Sequence, residues 1–235
     1  MAGREPDRPG ESVSLADRVT DELRRAILAH EFLPGDRLAA AALAERFAVS
    51  PTPLREAFAR LAGEGWVTYQ PQRGVRVAEV RVEEMLEIYE LRSLLEPMAL
   101  RRSVVAGDEE WRDEVTSAHR LMEEAADGPL ADLDGAAYAR YEELHVRFHR
   151  ITLSRCGSAW LIRLTDLLGD QSRRFRRLSL PIRTRFGSVC DEHRAIADAC
   201  AAADPDAAVS ALGAHLENTR RAILCWVADS RLDRR

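Results

Sequence analysis

The sequence predicts a mainly α-helical chain of two parts, and three observations carry that prediction. Residues 33–77 hold a compact succession of helix, turn, helix and paired-strand signals. From residue 83 onward apolar residues recur at helical spacing, and strand signals vanish. The breaks between those helical stretches are short and rich in Gly, Pro and Asp, which implies neighbouring helices packed as an antiparallel six-helix bundle.

The N-terminal elements follow in order. Residues 1–11 are polar and Pro/Gly-rich and are expected to form a disordered tail. Ser14 stands where it can cap a first helix with apolar positions at Leu15, Val19, Leu23, Ile27 and Leu28. Pro34-Gly35 ends that segment in a turn, and residues 39–47 read as a second helix. After a turn at Val49-Ser50, Ser50 is placed to cap a third helix. Pro51 suits its first position, where a backbone donor would have no partner. This helix buries Leu54, Ala57, Phe58 and Leu61, shows Thr52, Arg55, Glu56 and Arg60 on its other face, and ends at Gly63 or Gly65. Residues 66–69 and 75–78 alternate as two short strands around a turn at Gln72-Arg73-Gly74. Helix, turn, helix and hairpin in this order form a winged helix-turn-helix over residues 12–78, a device for placing one helix in the DNA major groove.

A connector at 79–82 leads to the helical domain, 83–230. Its helices are read at 83–105, 109–127, 135–155, 158–179, 187–203 and 206–229. Gly107-Asp108, Asp127-Gly128-Pro129, Cys156-Gly157, Pro181 and Asp204-Pro205-Asp206 separate them, and Pro97 sits inside the first.

Composition limits the function. With 46% hydrophobic and 31% charged residues, the chain matches a soluble globular protein. No apolar run approaches the roughly 20 residues of a membrane span, and the N-terminus lacks a signal-peptide core, so a cytoplasmic protein is expected. Cys156, Cys190, Cys200 and Cys225 show no CxxC spacing and read as reduced, packed thiols. Net charge is −5, and residues 1–78 hold 11 Arg against 11 Asp and Glu, a balance of zero. DNA binding must therefore rest on where individual arginines sit and not on a basic footprint.

The histidines supply a second motif. His145 and His149 are four apart and share a helix face. His193 and His215 each lie eleven residues from Asp204, in the turn between two helices, so they fall side by side in an antiparallel pair. Two histidine pairs thus converge, each on one surface, and imidazole nitrogens are the usual ligands of zinc and other borderline metals.

The N-terminal residues resemble the winged helix-turn-helix of the GntR family of bacterial regulators. The resemblance rests on PG at 34–35, Leu38, LAERF at 43–47, VS at 49–50, TPLREA at 52–57, Leu61, EGW at 64–66 and Gly74. It implies that Ser50, Thr52, Arg55 and Arg60 face DNA from the third helix, with Arg73 and Gly74 at the wing. Arginine can hold guanine O6 and N7 together. Pro51 stands where the family has arginine, which removes one expected contact.

The helical domain is similar to the FCD effector domain of FadR-type members of that family. The carrying segments are YELRSLLEP at 89–97, FHRIT at 148–152, EHRAIADA at 192–199 and HLENT at 215–219. The resemblance implies a divalent metal on His149, His193 and His215, with His145 where the family has Asp. An all-nitrogen set favours Zn²⁺ or Ni²⁺ over Mn²⁺. It also implies a small carboxylic-acid effector held by Arg92, with Arg173 and Arg177 of the 173–177 arginine run as further candidates. Arg92 has an alternative partner in Glu96, one helical turn on.

The function expected is a ligand-responsive regulator, a repressor by analogy, acting as a homodimer on a pseudo-palindromic operator. Two other classes stay open on sequence: a metal-sensing regulator, and a metalloenzyme fused to a DNA-binding module. For the enzyme, Glu142, Glu143 and Glu192 are the nearest candidate bases.

Overall fold

The computed structural model describes residues 14–232 except 30, 80, 127–129, 131, 132 and 134, without the side chains of 177, 178, 184 and 230–232. The expected 1–11 tail lies outside these residues. The chain divides into two compact units, 1–79 and 80–235.

In the first unit α1 spans Leu15–Leu28. Ser14 and Asp17 form a reciprocal capping box at its start, which satisfies two otherwise unpaired backbone donors. Val19, Leu23, Ile27 and Leu28 are buried as the spacing predicts, whereas Leu15 lies half exposed at the helix end. Leu33 to Asp36 close a turn in which the Asp36 N–H donates to the Leu33 carbonyl at 2.9 Å. Gly35 takes φ +88° there, the value a type II turn with Pro at its second position requires.

Helices α2 (Ala40–Arg46) and α3 (Pro51–Gly63) follow. The turn between them carries a feature not read from the sequence. Ala48 adopts φ +52°, its N–H reaches the Glu45 carbonyl, and the Val49 N–H reaches the Ala44 carbonyl. This is a Schellman end with alanine where glycine is usual. Ser50 precedes α3 but makes no side-chain cap, contrary to expectation. The end of α3 is a second Schellman motif, with Gly65 at φ +76° and the Trp66 N–H on the Leu61 carbonyl at 2.8 Å.

The wing consists of β2 (Val67–Gln70) and β3 (Gly74–Val77), antiparallel, with Gln70 opposite Gly74. A third strand corrects the two-strand expectation: β1 (Arg37–Leu38) pairs with β3, giving the order β1-β3-β2. Two residues paired across such a sequence distance leave no periodic trace. Leu23, Leu54, Phe58, Leu61, Trp66, Val75 and Val77 fill the core beneath.

The second unit contains α4 (Val82–Ala106), α5 (Glu109–Ala125), α6 (Gly135–Leu153), α7 (Ala159–Arg183), α8 (Val189–Ala201) and α9 (Pro205–Leu232). Helix α4 packs on α9 and α7, α5 on α6 and α8, and α8 on α9. Pro181, read as a break, instead lies inside α7, which continues to Arg183 before a short 3-10 turn at Thr184–Phe186. The core holds Tyr89, Leu100, Trp111, Phe148, Phe175, Ile196 and Leu216. Trp111 spends its one donor on the Ile151 carbonyl at 2.8 Å, so its burial strands no polar group. Among the described residues no helix is long and apolar enough to cross a membrane.

Candidate functional site

Two sites emerge, one per unit. In the first, the amphipathic spacing of α3 buries Leu54, Ala57, Phe58 and Leu61 and turns the opposite face outward. Ser50, Thr52, Arg55, Arg60, Arg73 and Gly74 are all exposed. Gly74 has φ +79° at the start of β3, following Gln72 at φ +60°, so the wing tip is a tight reversal that glycine accommodates. The side chain of Arg60 is already engaged by Asp17 of α1. Arg37 and Arg76 face each other across β1 and β3, but Arg76 donates to the Gly35 carbonyl at 2.7 Å.

In the second unit the two histidine pairs meet. Ring centroids are 4.5 Å apart for His145–His149 and 4.5 Å for His193–His215, as the helix spacing and the turn symmetry predict. The pairs also touch each other: His145 lies 4.8 Å from His193, and His149 lies 5.3 Å from His215. One nitrogen of each ring falls within 4.8 Å of the other three. His149 Nε2 and His193 Nε2 face one another at 3.3 Å. His145, His193 and His215 are buried, while His149 is partly exposed.

The electrostatics keep these rings neutral. All four pKa values are held well below the ordinary histidine value. Burial is the largest cause for each. Arg176 and the other rings add to it at His145, and Arg183, Arg92 and Arg176 at His215. Neutral imidazoles present lone pairs, which metal binding requires.

Acidic and basic side chains surround the cluster in pairs. Glu192 accepts from His215 Nδ1 at 3.0 Å and from Asn218 at 2.8 Å, and it also takes an Arg183 donor. This carboxylate holds the His215 ring through Nδ1 and leaves its other nitrogen uncommitted to it, the usual arrangement behind a metal-binding histidine. The buried Glu142 accepts from both Arg173 and Arg176. Arg92 donates to both oxygens of Glu96, at 2.6 and 3.3 Å, and stacks 5.0 Å from the Tyr89 ring centroid. Burial works against its charge, but Glu96 and Tyr89 outweigh that, and its pKa is raised. The predicted Arg92–Glu96 pair therefore forms within the pocket wall.

One pocket, with about 350 Å³ of empty space including open solvent, is lined by Arg92, Glu96, His145, His149, Thr165 and Arg176, among others. Arg173 lines no described pocket and is held by Glu142 and Asp170. The arginine of this run that faces the histidines is Arg176, while the Arg177 side chain lies outside the described residues. Sequence reasoning missed Arg176 and Arg183. The usable signal was helix phase, because Ser172, Phe175, Ser179 and Arg183 form one buried stripe on α7. Glu142, first weighed as a base, and Glu192 are both committed to ion pairs.

Comparison with known proteins agrees with this division. Residues 15–77 match the bacterial regulatory proteins of the gntR family, and residues 87–218 match the FCD domain. The chain is 31% identical over 206 residues to the HTH-type transcriptional regulator BphR of Paraburkholderia xenovorans, covering 88% of this chain and 84% of that protein. It is 33% identical over 156 residues to the HTH-type transcriptional repressor GlaR of Escherichia coli, covering 66% of this chain and 69% of the relative. A GntR transcriptional regulator structure from Rhodococcus superposes with a TM-score of 0.71 at 26% identity, covering 89% of this chain and 97% of that one. Escherichia coli McbR shares the fold, with a TM-score of 0.74 at 21% identity over 93% of this chain and all of that one.

Proposed function

The chain belongs to the GntR family of bacterial regulators and carries an FCD domain; it is a DNA-binding transcriptional regulator and not an enzyme, and we propose that a metal and a small carboxylic acid in the helical unit control its affinity for an operator. The observation that carries this reading is the convergence of His145, His149, His193 and His215 beside a pocket walled by Arg92 and Arg176. Zinc–nitrogen bonds of about 2.0–2.1 Å in a tetrahedron separate the nitrogens by roughly 3.3 Å. The 3.3 Å between His149 and His193 Nε2 fits that spacing. A divalent Zn²⁺ or Ni²⁺ ion held there would supply positive charge for an acid to approach. Arg92, Arg176 and Thr165 would orient the acid from the protein side.

The DNA face is that of α3 and the wing: Ser50, Thr52, Arg55 and Arg60, with Arg73 and Gly74. A homodimer on a pseudo-palindromic operator suits this face. An exposed apolar stripe supports it: Leu91, Leu94, Met98 and Val105 on α4, beside Trp160, Leu164 and Leu167 on α7. Unpaired apolar faces of this kind mark contact surfaces, and Leu94→Glu is expected to convert a dimer to monomers in analytical ultracentrifugation. Repression is the reading favoured, since one relative is named a repressor, and its release by the acid is the response expected here.

The test is DNA binding to the region upstream of the protein's own gene, followed by fluorescence anisotropy with and without Zn²⁺ and a panel of carboxylic acids. A coupling of about 1–3 kcal/mol appears as a 5–150-fold change in operator affinity. Absence of sequence-specific binding at any site rejects the reading. A metal-sensing role is the second reading, and one observation favours it: the fork of Arg92 is already filled by Glu96. If added metal alone toggles DNA binding and no acid changes it, the metal is the signal.

A further inference from the structure

A second pocket shares only His145 and Arg176 with the first, apart from which its lining is different. Tyr138, Tyr141, Glu142, Ser179, Leu180, Arg183, Val189, His215 and Thr219 complete it. We propose that this pocket is a second anion subsite, distinct from the one at Arg92, that takes a small oxyanion on the guanidinium of Arg183.

The argument starts from unmet donors. Arg183 is 2% exposed. Its Nε donates to Thr219 Oγ1 at 3.2 Å and its Nη2 to Glu192, but Nη1 is buried with no acceptor. Arg176 lines the same pocket and its Nε is likewise buried without an acceptor. Leaving a buried donor unmet is costly, and more so for a charged group. Two such donors on one pocket are hard to explain as packing defects. A guanidinium has donors only and a planar fork, so the group that completes it is an acceptor, and an oxyanion matches best.

Arg173, Arg176 and Arg183 meet Glu142, Asp170 and Glu192, so the charges around the neutral histidines balance and the open donors, not a net charge, would draw an anion in. Glu142 lines the pocket and opposes an anion, but both Arg173 and Arg176 hold it. Tyr138, Tyr141, Leu180 and Val189 add less polar walls, which strengthen an ion pair formed inside. An anion bound here would touch residues of α6, α7, α8 and α9 at once, through Tyr138, Arg183, Val189 and Thr219. It would therefore serve as a second input to the same unit, adjoining the acid at Arg92 across the shared Arg176 and His145.

The experiment is calorimetric titration of the full-length protein, dialysed free of small acids, with acetate and separately with inorganic phosphate at constant ionic strength. Two anion sites per chain are expected, with the stronger probe telling a carboxylate preference from a phosphate preference. Arg183→Lys, which keeps a charge for Glu192 but lacks Nη1, is expected to weaken one site at least tenfold. Val189→Glu is the second variant. Val189 opens α8, where a carboxylate suits the helix N-terminus. Its side chain would place a competing carboxylate in the pocket and remove the same site while the fold persists. Arg92→Gln should remove only the other site. A single site per chain that Arg92→Gln removes, or unchanged binding in both Arg183→Lys and Val189→Glu, overturns the inference. If Arg92→Gln leaves all binding intact while Arg183→Lys abolishes one site, the subsite stands and the placement of the effector at Arg92 fails.

Discussion

The two units keep their chemistry in opposite places. Among the described residues of the N-terminal unit one polar side chain is buried, Thr20, and it simply returns its hydroxyl to the Ala16 carbonyl at 2.7 Å. The residues proposed to face DNA are all on the surface. The interior of the helical unit instead contains Arg92, Glu96, Glu142, His145, Arg183, His193 and His215. A surface site can be altered at little expense in stability, because water replaces what is removed. An interior site built of paired charges cannot, because each deletion strands its partner. Mutations should therefore separate the units: binding without stability in the first, stability with binding in the second.

The largest effect is expected at Glu142. It is the shared acceptor of Arg173 and Arg176, both mostly buried. Glu142→Ala leaves Arg176 without its counter-charge and Arg173 with Asp170 alone, and breaking a buried pair in this way costs about 3–5 kcal/mol. Chemical denaturation should show the helical unit unfolding earlier while the N-terminal unit unfolds where it did. A loss below about 1 kcal/mol would mean that water reaches these arginines and the interior is not dry.

Acidification acts on the same contrast. The folded histidines have lowered pKa values, so they stay neutral where unfolded histidines, near 6.5, take up protons. Stability is thus complete above about pH 6.5 and is lost as pH falls below it. For the three fully buried rings, the drop between pH 7.5 and 5.5 is up to about 4 kcal/mol. The metal-free protein, denatured at both pH values, should show this in the helical unit alone. Equal sensitivity of both units would erase the distinction.

Much of this contrast was legible in the sequence, and for a physical reason. Helix faces follow period and caps, so α1, α3, the wing and all six helices of the second unit stand within a few residues of expectation. The two histidine pairs followed from a four-residue spacing and from symmetry about Asp204, and the family resemblance implied that the pairs meet. What escaped depended on distant partners or on helix phase. Strand β1 exists only because β3 lies beside it. Arg176 differs from Arg173 only in its position around α7, which a run of arginines conceals. Pro181 deletes one backbone donor, yet the helix continues past it, with Leu180 packed on the core and Ile182 and Arg183 buried.

On the DNA side, Arg55 is expected to matter most. It is exposed on the outward face of α3, and it forms no ion pair among the described residues. Arg55→Ala should weaken operator binding by about 1–3 kcal/mol, roughly 5–150-fold, if the guanidinium reads a base. Thermal unfolding should barely move. An equal loss on scrambled DNA would show that Arg55 only holds phosphate.

The smallest effect is expected at Arg60, and it sharpens the comparison from within the first unit. Arg60 shares the outward face with Arg55, but Asp17 already engages it, and both side chains are nearly half exposed. Exposed pairs of this kind contribute about 0–1 kcal/mol. Arg60→Ala should therefore change both stability and operator binding by less than about 1 kcal/mol. Asp17 has a second duty, since it completes the capping box with Ser14. Asp17→Ala should cost about 1 kcal/mol through the cap, yet free Arg60 for DNA. Operator affinity is then expected to hold or rise while the melting temperature falls. In a double-mutant cycle with Arg60→Ala, that gain should vanish. If Asp17→Ala weakens operator binding as much as Arg55→Ala does, the DNA face depends on the seating of α1, and the independence of binding from stability in this unit is lost.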